Sequence, residues 1–185
     1  MVEEVNILAV DDVAENLVAL AALLRRPGLR LVEARSGSEA LEALLDKDIA
    51  LALLDVNMPG MDGFELAELM RGSERTRDVP IIFLTAGHPE RTRVFEGYEA
   101  GAVDFLFKPL DPHLLLSKVE VFAQLHRQKR QLARQLAQLQ QAQGMSDLFV
   151  GVLGHDLRNP LSSIMSGAEL LERLPSDPEG VRRKA

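Results

Sequence analysis

The chain has no cysteine, no tryptophan and a single tyrosine among its 185 residues. Without cysteine there is no disulfide framework, no thiolate zinc site and no thiol redox chemistry, which fits a reducing compartment. No apolar run reaches the roughly 18 to 20 residues that span a bilayer, so no membrane segment is expected. No basic-then-apolar leader opens the chain, and the sequence reads as soluble and cytoplasmic. Positive charge is scarce in the front half. Residues 1–110 carry 20 acidic against 11 basic residues, a net of −9, whereas residues 111–185 carry 8 against 10, a net of +2. That split points to two modules, and the acidic front half argues against nucleic acid as its partner. With 46% hydrophobic and 26% charged residues the chain is globular.

What is present is organised around Leu51-Ala52-Leu53-Leu54-Asp55-Val56-Asn57-Met58-Pro59-Gly60, an apolar run ending in one carboxylate and a Pro-Gly turn. Such a run reads as a strand buried on both faces of a parallel sheet, with Asp55 at its carboxyl end. Comparable runs at 7–10, 81–84 and 103–107, with a weaker one at 29–34, alternate with helical spacing at 13–26, 38–47, 63–71 and 89–99. Strands alternating with helices of about ten residues predict a five-stranded, doubly wound parallel α/β sheet. Pro27-Gly28, Ser36-Gly37 and Asp62-Gly63 mark the helix boundaries.

The residues at the strand ends carry chemistry. Asp11 and Asp12 follow the first strand as Asp55 follows the third, so a parallel sheet brings three carboxylates to one edge. Three close carboxylates repel one another unless a cation joins them, and a hard divalent ion such as Mg²⁺ suits oxygen ligands. Thr85 ends the fourth strand with a hydroxyl, and Lys108 ends the fifth with a positive charge. Singly, these residues read as a helix cap, a strand end and a solvated charge. Together they make a nucleophilic carboxylate, a cation site and two groups able to hold phosphoryl oxygens.

On Asp11-Asp12, Asp55 with Met58-Pro59-Gly60-Met61-Asp62-Gly63, Thr85-Ala86 and Lys108-Pro109, residues 1 to about 122 resemble the receiver domain of a two-component response regulator. The resemblance implies a flavodoxin-like fold in which Asp55 takes phosphate from a phosphohistidine. It implies Mg²⁺ bound by Asp12, Asp55 and the backbone carbonyl of Asn57, with Asp11 acting largely through water. Thr85 and Lys108 would contact the phosphoryl group, and Phe105 would be a switch aromatic that moves inward as Thr85 shifts. The Lys108–Pro109 bond would be cis.

After Lys108-Pro109 no further strand is expected. A helix beginning near Asp111 runs to Asn159, and its segment 110–144 reads as a coiled-coil linker. Phe122, Lys129, Leu136, Gln143, Val150 and Leu157 fall at heptad position a, with Leu125, Leu132, Leu139, Ser146 and Leu153 at d. One register held over about five heptads argues for a coiled coil through which the chain would form a homodimer, against the alternative of a long surface helix of a monomer. His88, His113 and His126 lack ligand-spaced partners and read as surface residues, but His155 falls at f, facing solvent beside Asp156. Pro160 and a Pro175-Ser176-Asp177-Pro178 turn follow. On Gly154-His155-Asp156-Leu157-Arg158-Asn159-Pro160-Leu161, residues from about 145 resemble the phosphorylated helix of a sensor histidine kinase dimerisation domain. By that resemblance His155 is autophosphorylated, Asp156 is its acidic neighbour and Asn159 bears on dephosphorylation of a partner receiver. Residues 145–185 would then be a truncated dimerisation domain, the ATP-binding domain being absent from this chain. An upstream histidine kinase or phosphotransfer protein is the expected partner.

The order of modules resembles the N-terminal part of a receiver-first hybrid histidine kinase, and three readings compete. Asp55 is an input that controls His155, or His155 passes phosphate to Asp55, or the chain is a response regulator with a dimerising tail. From Leu110 to His155 a continuous helix would cover about 67 Å at 1.5 Å per residue, which favours the input reading. Arg127, Lys129, Arg130 and Arg134 form a basic patch that leaves nucleic acid binding as a minor alternative.

Overall fold

The structure is a computed structural model describing residues 4–86 and 103–172, the latter by backbone alone at 144–164 and 167–172. It contains five strands and four helices among the described residues. These are β1 (Val5–Val10), α1 (Ala14–Leu24), β2 (Leu29–Ala34), α2 (Gly37–Asp46), β3 (Ile49–Asp55), α3 (Gly63–Gly72), β4 (Ile81–Ala86), β5 (Asp104–Lys108) and α4 (Pro112–Glu172). All five strands are parallel, in the order β2-β1-β3-β4-β5. This is the doubly wound, flavodoxin-like order, and its direction reverses between β1 and β3.

The period-2 alternation of each strand splits the core into two clusters. Leu8, Val10, Ala52, Leu54, Ile81, Phe83 and Phe105 face α2 and α3. Ile7, Ala9, Leu51, Leu53, Ile82, Leu84 and Leu106 face α1 and the start of α4. Every residue of β3 is buried, as its unbroken apolar run requires. The helices start where polar side chains can take their orphan amides. Ser36 Oγ accepts from Glu39 N–H, and Asp62 caps α3 with Glu65 returning the bond.

The expected helix at 89–99, His88 and the turn at 175–178 lie outside the described residues. Helix α4 starts one residue after Asp111, whose carboxylate accepts from His113 N–H and Leu114 N–H, and it continues through Pro160 without a break. The chain divides into two compact units, residues 1–131 and 132–185. Leu115, Val119 and Ala123 of α4 are buried in the sheet's core and Phe122 packs against it, although the heptad pattern had placed Phe122 in the seam. Leu125, Leu132, Leu136 and Leu139 are exposed. No described helix is long and apolar enough to cross a membrane.

His126 departs from expectation. Its lack of ligand-spaced partners reads as a surface position, yet its side chain is only 14% exposed and its Nε2 lies 3.1 Å from Asp48 Oδ2. Arg130 Nε lies 3.6 Å from the same carboxylate. Arg127 donates to the Gly28 carbonyl at 3.1 Å and pairs with Glu120. Arg127 and Arg130, two of the four residues of the basic patch, are thus engaged within the chain, at the end of the sheet opposite Asp55. Helical periodicity alone has no means of showing contacts made 78 or 99 residues away.

Candidate functional site

Strand register builds the site. Val10 pairs with Leu54, so the residues that follow, Asp11 and Asp55, emerge side by side at the carboxyl edge. Asp55 pairs with Leu84, Thr85 with Phe107 and Ala86 with Lys108, which brings the ends of β4 and β5 to the same edge. Oxygens of Asp11, Asp12 and Asp55 all lie within 4.8 Å of one another. Lys108 Nζ sits between two of them, 2.7 Å from Asp11 Oδ2 and 2.7 Å from Asp55 Oδ1. Asp11, Asp55 and Thr85 are buried, while Asp12 and Asn57 are exposed. The Lys108–Pro109 bond is cis, as the resemblance implied.

Burial and pairing pull the two charged partners differently. Desolvation raises the Asp55 carboxyl above its ordinary range and Asp11 adds to the rise, outweighing Lys108 and the Asn57 amide, which lower it. Burial pushes the Lys108 ammonium down, but hydrogen bonds and charges from Asp11 and Asp55 more than compensate and leave it raised. Lys108 is therefore held ionised, while the Asp55 anion is the less comfortable member of the pair.

Two further residues shape the site. Gly63, the first residue of α3, donates to the Val56 carbonyl at 3.1 Å. A Cβ there would stand 2.3 Å from the Asp55 carbonyl oxygen, so only glycine lets the helix start so close behind the carboxylate. Asn16, which the sequence reading missed, donates from Nδ2 to both oxygens of Asp11, at 2.9 and 3.0 Å. An amide five residues after a strand-end aspartate, one turn into a helix, is the only sequence signal it offers.

The donor set fits a hard divalent cation. All candidate ligands are oxygens, they converge within one ion's reach, and the excess negative charge is only partly offset by Lys108. Asp11 already accepts from Val13 N–H, Asn16 and Lys108, which leaves Asp12 and Asp55 as the carboxylates best able to take an ion.

On the aromatic side, Phe105 is buried with its ring centroid 5.3 Å from that of Phe83, and Phe83 lies 4.6 Å from Phe64. The ring expected to move inward is inward here. His155, Asp156 and Asn159 all lie on α4, and their side chains fall outside the described residues.

The response regulator receiver domain family matches residues 7–120. The chain belongs to that family. Residues 145–184 match the His Kinase A phospho-acceptor domain, so a receiver is followed by a phospho-acceptor domain, as in a fragment of a receiver-first hybrid histidine kinase. Among curated relatives, the receiver is 40% identical over 131 residues to the "Probable cyclic di-GMP phosphodiesterase" of Vibrio cholerae, covering 70% of this chain and 29% of that protein. It is 39% identical over 115 residues to the transcriptional regulatory protein GltR of Pseudomonas aeruginosa, covering 62% and 47%. Among solved structures, it resembles the signal receiver domain of a signal transduction histidine kinase from Syntrophus aciditrophicus, at 32% identity and a TM-score of 0.59, covering 64% of this chain and 89% of that one. The chain spans half or less of the length of these curated relatives. A receiver followed by a phospho-acceptor domain places the chain in two-component phosphorelay signalling.

Proposed function

We propose that Asp55 accepts a phosphoryl group from a phosphohistidine of a partner kinase or phosphotransfer protein, and that this event controls His155. The observation that carries the reading is Lys108 Nζ held 2.7 Å from Asp55 at the centre of a three-carboxylate cluster. An Asp55 oxygen attacks phosphorus, the P–N bond breaks, and its electron pair leaves with the imidazole, giving an aspartyl phosphate. Lys108 turns from Asp55 to a phosphoryl oxygen, keeping its charge where the negative charge has moved. Thr85, at the neighbouring strand end, offers a hydroxyl to another. Asp12, Asp55 and the Asn57 carbonyl would hold Mg²⁺, which would offset the charge of nucleophile and phosphoryl group as they approach.

The buried Thr85 and Phe105 lie on neighbouring strands, and the repacking of that edge is read out by α4, whose first turns share the sheet's core. His155 and Asp156 would be phosphoacceptor and orienting acid, with Asn159 serving dephosphorylation of a partner receiver. A homodimer through the exposed leucines of α4 is the assembly this requires.

The test is intact mass after incubation with acetyl phosphate, with and without Mg²⁺, for the wild type and Asp55→Asn. One phosphoryl gained only with Mg²⁺ and only with Asp55 present is the expected result. Gain in the mutant, or none in any condition, overturns the assignment of Asp55.

A further inference from the structure

Asp11 is fully buried, and every acceptor position it has is filled. A carboxylate offers about four lone-pair sites, two on each oxygen. Oδ1 accepts from Val13 N–H at 2.9 Å and from Asn16 Nδ2 at 2.9 Å. Oδ2 accepts from Asn16 Nδ2 at 3.0 Å and from Lys108 Nζ at 2.7 Å. One amide nitrogen thus reaches across both oxygens and fixes the plane of the carboxylate. Capping of α1 does not explain this, because its N-cap residue is Val13, no side chain caps the helix, and Asn16 donates its side-chain amide and not an orphan backbone N–H. The second Asn16 contact falls on Oδ2, the oxygen that holds Lys108.

We propose that Asn16 is a positioning residue for the phosphoryl site. By saturating Asp11 it keeps that carboxylate from turning onto the cation, and it leaves Lys108 shared between Asp11 and Asp55 instead of captured by Asp11. The inference rests on the reading of Asp55 as phosphoacceptor only for its kinetic part. Its binding part concerns the metal site of the unphosphorylated protein.

Replacing Asn16 with leucine, close in size and unable to donate, opens two acceptor positions on a buried anion. Asp11 then compensates with the cations nearby. It joins Asp12 and Asp55 around the divalent ion, and affinity rises with the number of charged ligands. It also holds Lys108 more tightly, and Lys108 reaches the phosphoryl group less readily.

The experiment measures Mg²⁺ binding by calorimetry on the unphosphorylated full chain, and separately the acetyl phosphate reaction at saturating Mg²⁺. For Asn16→Leu, Mg²⁺ binds about tenfold more tightly, while the saturating rate of phosphorylation falls about tenfold. Asn16→Gln, which keeps an amide on a longer arm, moves both quantities back toward wild type. Asn16→Ala reads the same quantities without leucine's bulk should that variant fail to fold. A lower melting temperature with Mg²⁺ affinity unchanged or weakened means that Asn16 merely secures α1, and overturns the proposal. If the wild type itself takes no phosphoryl group, the reading of Asp55 fails, and the Mg²⁺ titrations still decide the role of Asn16.

Discussion

Asp55 is destabilised in its ionised form by the burial that makes it useful. A carboxyl raised in the folded state keeps its proton longer there than in the unfolded chain, so stability falls as pH rises from the ordinary carboxylate range through the raised value. In EDTA at neutral pH, Asp55→Asn should therefore stabilise the receiver by about 1 kcal/mol, the difference closing toward acid pH. Lys108 has the opposite sign. Its raised ammonium contributes stability that is fully present below its ordinary value and lost only as pH climbs through the raised one. Lys108→Met leaves two carboxylates facing each other and should cost about 2 kcal/mol, less than a fully buried pair would because the ammonium is partly solvated. Thermal melts of both single variants and the double variant across acid to neutral pH check this, and the loss at Lys108 should shrink once Asp55 is neutral. Asp11, Asp12, Asp55, Thr85 and Lys108 were legible in the sequence because each ends a recognisable strand run. Asn16 and His126 were not, since their roles come from side chains brought to them by the fold.

At the scale of elements, α3 begins against the backbone of Asp55 with nothing between them. Gly63→Ala places its Cβ 2.3 Å from a carbonyl oxygen that cannot swing aside, so helix and strand must separate. The expected cost is about 2 kcal/mol, in the range of overpacked cores, with slower phosphorylation by acetyl phosphate because Asp55 is displaced. Gly37→Ala serves as the control: its nearest contact is the Met61 sulfur, the flexible part of a side chain, and it should cost less and leave phosphorylation intact. The strand runs and helix caps announced these elements within one or two residues, because alternation and caps are local signals. The inward Phe105 has no such local signal, and the resemblance implies it only as a position taken when Thr85 shifts. Its position depends on the Phe64–Phe83–Phe105 contacts, which join three elements distant in sequence.

At the scale of the molecule, the first compact unit extends to residue 131, past the boundary near 122 that the receiver resemblance suggests. The residues between, His126, Arg127 and Arg130, reach back to Asp48 and to the Gly28 carbonyl. Fusion of two modules through one unbroken helix was visible in the charge asymmetry and the leucine repeat. The place where one ends was not, because a helix looks alike on both sides of it. Anyone cutting the receiver free has a practical choice to make there. A piece ending at 122 loses all three basic side chains, exposes the underside of β3 and should melt several degrees below a piece ending at 131. Within α4, a protease should spare those turns and cut farther along.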